Sequence, residues 1–430
     1  MNNQTVVRNP EQKDRTDARQ RVLFMPESAS LAHLGRLLTL AKSLPESRFS
    51  ITFACDQQLR RWVPAPFEWK RATSLSSEEF RLRLACGETL FDSALLHRQV
   101  KEDLSLFHET QPDAVVGDFR PSLAISAPLL GVPYINVVGA HWSPWAEIPF
   151  EAVGPLDTWW SRSLGHRMGK ALVNALLPIG FRLQARPFNK VRRAYGLSPL
   201  PENLRAMYTA GDAVAYTDIP ELVPTPGAPD THHHIGPVLW EPNIPLPSWW
   251  TSLPKDRPCV FVSVGSTGRW EDLEKTVSAL SRLPVVTLVA TSGRGTIRPV
   301  PNRVYVADYL PGMETCKKAD LVICNGGSGT VHQALSAGVP VIGIAANMDQ
   351  MSVMASVVKH GAGLRIPAGK VSEVNWGQVT QELLTSTEIR TKALELSQVM
   401  ARTDSAQAFR DLLERTIPLK PLASSGRALV

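Results

Sequence analysis

The chain has 430 residues, 43% of them hydrophobic and 20% charged, with a formal net charge of +6. That length is too great for one ordinary core, so two domains of about 200 residues each are expected in a globular protein of ordinary composition. No apolar run approaches the roughly 18 residues of a membrane span, and the basic residues form no arginine-rich block interleaved with aromatics, so neither a membrane-spanning protein nor a nucleic-acid binder is indicated.

The first twenty residues, MNNQTVVRNPEQKDRTDARQ, lack the apolar centre of a signal peptide and read as a disordered lead-in, which points to the cytoplasm. Short β-branched runs then alternate with helical stretches. Strands are expected at 21–25, 50–54, 113–118, 134–138 and 213–217 in the first half, and at 259–264, 285–290, 304–307, 321–324 and 339–344 in the second. Continuous apolar runs separated by helices suit parallel sheets covered on both faces. Leu31, Leu34, Leu37, Leu38, Ala41 and Leu44 recur on one side of the first helix. Near the start of that helix stands His33. An isolated histidine is more often structural or exposed than catalytic, but this one follows the first strand and faces the expected ligand edge. Asp118 closes the run DAVVGD and so approaches the same rim; it also reads as a helix N-cap before Pro121.

Between 139 and 160 the chain reads GAHWSPWAEIPFEAVGPLDTWW. Trp142, Trp145, Phe150, Trp159 and Trp160 crowd a proline-rich stretch that suits an apolar ligand wall, although any one ring taken singly reads better as packing. The next segment mixes leucines with Arg162, Arg167, Lys170, Arg182, Arg186, Lys190, Arg192 and Arg193, and reads either as a solvated helix face or as a site meeting anionic lipid. His232, His233 and His234 alternate sides if extended, which is unsuited to holding one metal ion. Five well-separated cysteines (Cys55, Cys86, Cys259, Cys316, Cys324) form no C-x-x-C pair and read as reduced thiols. GPVLWEPNIPLPSWWTSLPKDRPCV holds six prolines and has the composition of a linker. The expected division is a lead-in at 1–20, a domain at 21–236, a linker at 237–256, a second domain at 257–400 and a C-terminal helix at 401–418 returning to the first domain. The fold class is α/β, with two doubly wound, Rossmann-like domains facing each other across a cleft.

In the second domain, CNGGSGTVHQALSAGVPVI runs from an apolar strand through Gly326, Gly327, Ser328, Gly329 and Thr330 into a helix. Such a turn presents backbone N–H groups and the positive end of a helix dipole to an anion, without the lysine of a nucleoside-triphosphatase loop. Gly265-Ser266-Thr267-Gly268 forms a second small-residue loop, and Asp349 and Gln350 fall after the next strand, where they can bond sugar hydroxyls.

Tyr309-Leu310-Pro311, Asn325-Gly326-Gly327 fourteen positions after that proline, Gly338-Val339-Pro340 and Asp349-Gln350 together resemble the donor signature of GT-B inverting glycosyltransferases, the nucleotide-sugar enzymes of natural-product metabolism. The resemblance covers nearly the whole chain. It implies a nucleoside at Tyr309 and Leu310, with its ribose at Gln333. It implies a diphosphate at Ser266, Asn325, Gly327, Ser328, Gly329 and Thr330, and a sugar at Asp349 and Gln350. His33 matches the family's general base, with Ala32 and Gly35-Arg36 departing from the usual neighbours, and Asp118 matches its orienting carboxylate. Imidazole suits the removal of an acceptor proton near neutrality. Asn325 replaces a usual histidine and Gln333 a common glutamate, leaving donor choice open.

The first domain would hold a lipophilic small-molecule acceptor against Trp142, Trp145 and Phe150. The expected reaction transfers a hexose or deoxyhexose from a UDP- or dTDP-sugar, without cofactor or metal, by a monomer or homodimer. A glycolipid-forming enzyme at a membrane surface, a nucleotide-sugar 2-epimerase and a non-catalytic nucleotide-sugar-binding partner remain the alternatives.

Overall fold

A computed structural model describes residues 19–86, 88–148, 166–265 and 267–417. The first lobe is built on strands β1 (Gln20–Pro26), β2 (Phe49–Cys55), β3 (Glu68–Arg71), β4 (Ala114–Asp118), β5 (Tyr134–Val138), β6 (Ala213–Tyr216) and β7 (His232–His234). They form one sheet in the order β3-β2-β1-β4-β5-β6-β7. The second lobe contains β8 (Cys259–Ser263), β9 (Val286–Ala290), β10 (Val304–Ala307), β11 (Leu321–Cys324), β12 (Val341–Ala345) and β13 (Gly363–Pro367), ordered β10-β9-β8-β11-β12-β13. Every strand pairing in both sheets is parallel. The architecture is two facing doubly wound domains, as the alternation of apolar runs and helices predicts, and it is the GT-B arrangement that the resemblance implies.

Each sheet reverses its winding once, between β1 and β4 and between β8 and β11. Ligands of doubly wound sheets bind outside the carboxyl ends of strands at such a switch point. Registers place Pro26 beside Asp118 at the first and Ser263 beside Cys324 at the second. At these ends lie His33 on the helix after β1, Asp118 as the last residue of β4, and the Gly265 and Asn325–Thr330 turns after β8 and β11.

Three strands were not expected. β3 and β7 form the edges of the first sheet, where a half-exposed EWKR or HHH needs no apolar face, and β13 (GLRIP) forms an edge of the second. At β7, His232 and His234 share one side of the strand, as extended backbone requires, and both pack on the Tyr216 ring: His232 Nδ1 lies 2.6 Å from the Tyr216 hydroxyl, and His234 Nε2 lies 3.0 Å from Thr225 Oγ1. Among the described residues no cluster of three His, Cys, Asp or Glu side chains is arranged to hold a metal ion, and no helix is long and apolar enough to cross a membrane.

The helix Leu31–Lys42 is capped by Ser30, whose hydroxyl accepts from Ala32 N, and buries Leu34, Leu37, Leu38, Leu40 and Ala41 against the sheet. Gly35 is buried too, because the indole of Trp240 lies against it and an added Cβ would sit 2.6 Å from that ring. The proline-rich connection is therefore not only a spacer; it wedges an aromatic ring between lobe and cleft. The C-terminal helix Ser405–Thr416 packs on Leu31–Lys42 and β6 of the first lobe. Phe409 is fully buried, 6.3 Å from the Phe24 ring, and Arg410 Nη1 donates to Ser43 O at 2.9 Å. Phe409→Ala is expected to lower first-lobe stability by about 3–5 kcal/mol, read by urea unfolding of full-length protein. An unchanged midpoint would show that the helix contributes nothing to that core.

Candidate active site

At the first switch point, β1 passes into the helix that carries His33 and β4 ends on Asp118. His33 Nδ1 lies 2.7 Å from Asp118 Oδ1, and the carboxylate is 1% exposed. Arg36 stands three residues after His33 on the same helix face. Its Nε donates to Asp118 Oδ2 at 2.7 Å and its Nη2 to Oδ1 at 2.8 Å, a two-point fork. Burial works to raise the Asp118 pKa, but the charges and hydrogen bonds of Arg36 and His33 outweigh it and hold the carboxyl below its usual range. An ionised carboxylate only accepts, so the shared proton belongs on His33 Nδ1 and the lone pair on Nε2. Arg36 Nη2 also lies 2.9 Å from Nδ1; with Nδ1 protonated that is a contact between donors, so the Asp118 fork holds the guanidinium.

Phe119, the next residue, adopts a left-handed backbone at φ +57° and stacks its ring on His33, with centroids 5.3 Å apart and planes 6° apart. The strained turn is secured by Arg120, fully buried, whose Nε and Nη2 converge on Asp103 Oδ1 at 3.0 and 2.7 Å. The cap of the following helix is Ser122 rather than Asp118. Asp118 is thus left to the histidine.

At the second switch point, Gly326 turns the chain at φ +76°, where an added Cβ would also strike Met354 at 2.8 Å. Gly327 caps the helix Ser328–Ser336. A Cβ on Gly329 would meet nothing within 4 Å, so the first turn opens on the cleft. Asn325 is a brace: its Nδ2 donates to Thr267 Oγ1 at 3.0 Å and its Oδ1 accepts from Gly327 N at 3.2 Å. Ser328 Oγ accepts from Arg36 Nη1 at 3.1 Å, which brings a first-lobe cation to the second-lobe turn. Ser266 lies outside the described residues; Gly265 and Thr267 on either side line the same cleft.

The cleft has a volume of about 820 Å³. Tyr309, Leu310, Gln333, Asp349 and Gln350 line it along with the turn residues Asn325, Gly327, Ser328, Gly329 and Thr330, and so do His33 and Asp118. Tyr309 donates to Ser292 O at 3.2 Å and meets Trp62 edge-on at 6.0 Å. Gln333 Nε2 donates to Trp240 O at 2.7 Å. The Gln350 side chain is engaged within its own lobe, accepting from Ala346 N at 2.8 Å and donating to Thr267 Oγ1 at 3.2 Å.

Two reciprocal histidine–aspartate contacts cross the cleft. Asp349 Oδ1 accepts from Trp142 Nε1 at 2.9 Å and lies 2.7 Å from His141 Nε2, both on the first lobe. Enclosure between the lobes works to raise the Asp349 pKa, but His141, Trp142 and Arg36 hold it down at about 2. In the opposite sense, second-lobe His332 Nε2 lies 3.0 Å from first-lobe Asp218 Oδ1, and both residues are buried. Asp218 Oδ2 accepts from Ala140 N at 2.6 Å. Burial would raise Asp218, but His332, then His141 and the Ala140 amide, drive it well below the carboxylate range.

The remaining wall is apolar: Phe80, Leu90, Trp142, Leu177, Phe181 and Tyr208 line it beside Phe119. Trp142 is therefore a cleft residue. Trp145 is not; it is turned away, edge-on to His232 at 5.3 Å on the outer strand β7, because the helical turn Ala140–Trp142 ends at Trp142 and the chain continues through extended backbone at Ser143. Phe150, Trp159 and Trp160 lie outside the described residues. Arg36, Phe119, His141, Asp218, Trp240 and His332 were not among the expected site residues. The spacing of Arg36 from His33 and the position of His141 and Asp218 just beyond strands β5 and β6 are the signals that mark them.

Residues 274–413 match the model for the C-terminal domain of erythromycin biosynthesis protein CIII-like proteins. The chain is 41% identical over 382 residues to a PGL/p-HBAD biosynthesis glycosyltransferase of Mycobacterium tuberculosis, covering 88% of each. It is 40% identical over 405 residues to a PGL/p-HBAD biosynthesis rhamnosyltransferase of Mycobacterium bovis, covering 94% of this chain and 89% of that one. Among solved structures the spinosyn rhamnosyltransferase SpnG shares the fold at a TM-score of 0.66 and 18% identity, over 92% of this chain and all of that one; it has also been solved with thymidine diphosphate and with spinosyn aglycone.

The crossing pairs set an acid limit. The folded Asp218 pKa lies below the unfolded value of about 3.9, so its stabilisation is complete above about pH 5 and is lost as pH falls toward the folded value. Asp218→Asn is expected to lower the melting temperature at pH 7, with the gap from wild type narrowing below about pH 4. A gap that stays constant down to about pH 2 would show that this carboxylate is not what the acid removes.

Proposed function

The chain belongs to the GT-B glycosyltransferases that include these mycobacterial enzymes, and from that premise we propose that it moves a hexose or deoxyhexose from a UDP- or dTDP-sugar to a hydroxyl of a lipophilic small molecule, with inversion, in the cytoplasm. One observation carries the reading: the His33–Asp118 pair and the open first turn of the helix Ser328–Ser336 face one cleft and are tied together by Arg36. The relative named as a rhamnosyltransferase supports a deoxyhexose, and the nucleotide and aglycone bound by the spinosyn enzyme support a diphosphate donor and a small-molecule acceptor.

The acceptor lies against Phe119, Trp142 and Tyr208 with its hydroxyl at His33 Nε2. That nitrogen takes the proton as the oxygen attacks the anomeric carbon from the face opposite the diphosphate. Asp118 keeps the ring in the productive tautomer and stabilises the imidazolium that forms. The departing diphosphate is received by the N–H groups of the helix turn, by the hydroxyls of Ser328 and Thr330 and by the Arg36 guanidinium, so the chain's own groups meet the charge without a metal ion. Asp349, held through Oδ1 from the other lobe, presents its second oxygen to sugar hydroxyls. The base lies by Tyr309 and Leu310 and the ribose by Gln333. Enclosure by both lobes keeps water from the donor.

His33→Ala is expected to reduce kcat by about 10²–10⁴ with donor binding retained; transfer to a competent acceptor at an undiminished rate would end the proposal. Arg36→Ala is expected to lower kcat by roughly 10²-fold, the scale of one lost charge-stabilising donor, with Arg36→Lys recovering part of it. Equal activity of all three proteins would remove Arg36 from the mechanism. Incubation with donor alone is expected to leave the sugar unepimerised, and an epimerised product would favour a 2-epimerase.

A further inference from the structure

The helix His166–Ala194 holds seven lysines and arginines and no aspartate or glutamate, more positive charge than the net +6 of the whole chain. Its inner face is settled by packing: Leu177, Phe181, Ala185, Phe188 and Val191 are all buried. On its outer face Leu176, Ile179 and Leu183 are 40%, 54% and 51% exposed, an apolar stripe at helical spacing that no described residue of the lobe covers. Further along the same face come Arg186, Lys190 and Arg193, all exposed, with Arg182 alongside. The outer surface is thus divided along its length, apolar toward one end and basic toward the other, over about 25 Å at 1.5 Å per residue. Leu176 and Leu183 also line the mouth of the cleft, so the outer stripe continues into the apolar wall within.

We propose that this face docks the protein on an anionic lipid bilayer, with Ile179 and its neighbours entering the headgroup boundary, the basic residues meeting lipid phosphates, and the cleft mouth brought to the membrane. The charge selects the occupant. A second copy of the chain would set the basic end of this face, Arg182, Arg186, Lys190 and Arg193, against a like-charged face across a two-fold axis. A nucleic acid would use the charges and gain nothing from three exposed aliphatic side chains, whereas an interfacial helix uses both. That a membrane-borne acceptor then enters the cleft from the bilayer rests on the functional reading above; the docking does not.

The test uses the full chain, sedimented with vesicles of phosphatidylcholine alone or with a third phosphatidylglycerol at about 0.15 M salt. Binding to the anionic vesicles only, weakening as salt rises, is expected. Ile179→Asp, and Arg186→Glu combined with Lys190→Glu, are each expected to weaken it by about tenfold or more. None of these three residues lines the cleft, so transfer to a water-soluble acceptor is expected to match wild type while transfer to a vesicle-borne acceptor falls. No anionic-vesicle binding by wild type, equal binding by the variants, or a stable dimer that Ile179→Asp dissolves would each overturn the docking. Vesicle binding by a wild-type chain that transfers no sugar to any soluble acceptor would leave the docking standing and sink the functional reading.

Discussion

A carboxylate at 1% exposure must be neutralised or paired, and the structure answers for Asp118 with two residues of one helix. Arg36 takes both oxygens and His33 takes one, so the carboxylate sets the orientation of the ring and of the guanidinium together. The consequences run in opposite directions across the cleft. Into the cleft beside the apolar wall, the imidazole presents an unprotonated nitrogen; toward the second lobe, Arg36 reaches Ser328 in the open first turn of the helix Ser328–Ser336. Both follow from where β1 and β4 end, since adjacent parallel strands at a switch point bring the helix and the aspartate to one rim.

The lobes are joined in the same chemical currency. First-lobe Asp218 meets second-lobe His332, and second-lobe Asp349 meets first-lobe His141, so each lobe offers one carboxylate and one imidazole to the other. The first pair is buried and aligns the lobes; the second is half open, with 44% of the Asp349 side chain facing the cleft. Removing one partner of a buried pair strands the other in a poorly solvated place, which is why such contacts specify geometry more surely than they add stability. Here they place the cleft-facing carboxylate of one lobe under the aromatic wall of the other.

Much of this was legible in the chain because the signals were local. Apolar runs marked ten strands, and the helix face Leu34, Leu37, Leu38 and Ala41 packed as its period requires. Gly326 through Thr330 announced a turn that only small residues can make, and Asp118 sat at a strand end where a doubly wound sheet gathers ligands. What escaped was non-local or polar. EWKR, HHH and GLRIP carry no apolar alternation because they are edge strands. Trp145 looked like its neighbour Trp142 until a turn of the backbone separated them. Arg36 looked like a departure from a familiar pattern, and the bracing contacts of Asn325 and Gln350 through Thr267, made while both line the cleft, had no signal in the sequence. The partners His141–Asp349 and His332–Asp218 lie 208 and 114 residues apart in sequence, and no local pattern joins them.

The proton between His33 and Asp118 decides whether Nε2 has a lone pair to offer the cleft. Nitrogen NMR of ¹⁵N-imidazole-labelled protein with nucleotide bound, the His33 signals assigned by their absence from His33→Ala, reads that proton directly. The neutral ring is expected to show a protonated Nδ1 and an unprotonated Nε2, with the preference weakened in Asp118→Asn. A ring that carries its proton on Nε2 in the nucleotide complex would contradict the account, because that nitrogen would then have no lone pair with which to take one.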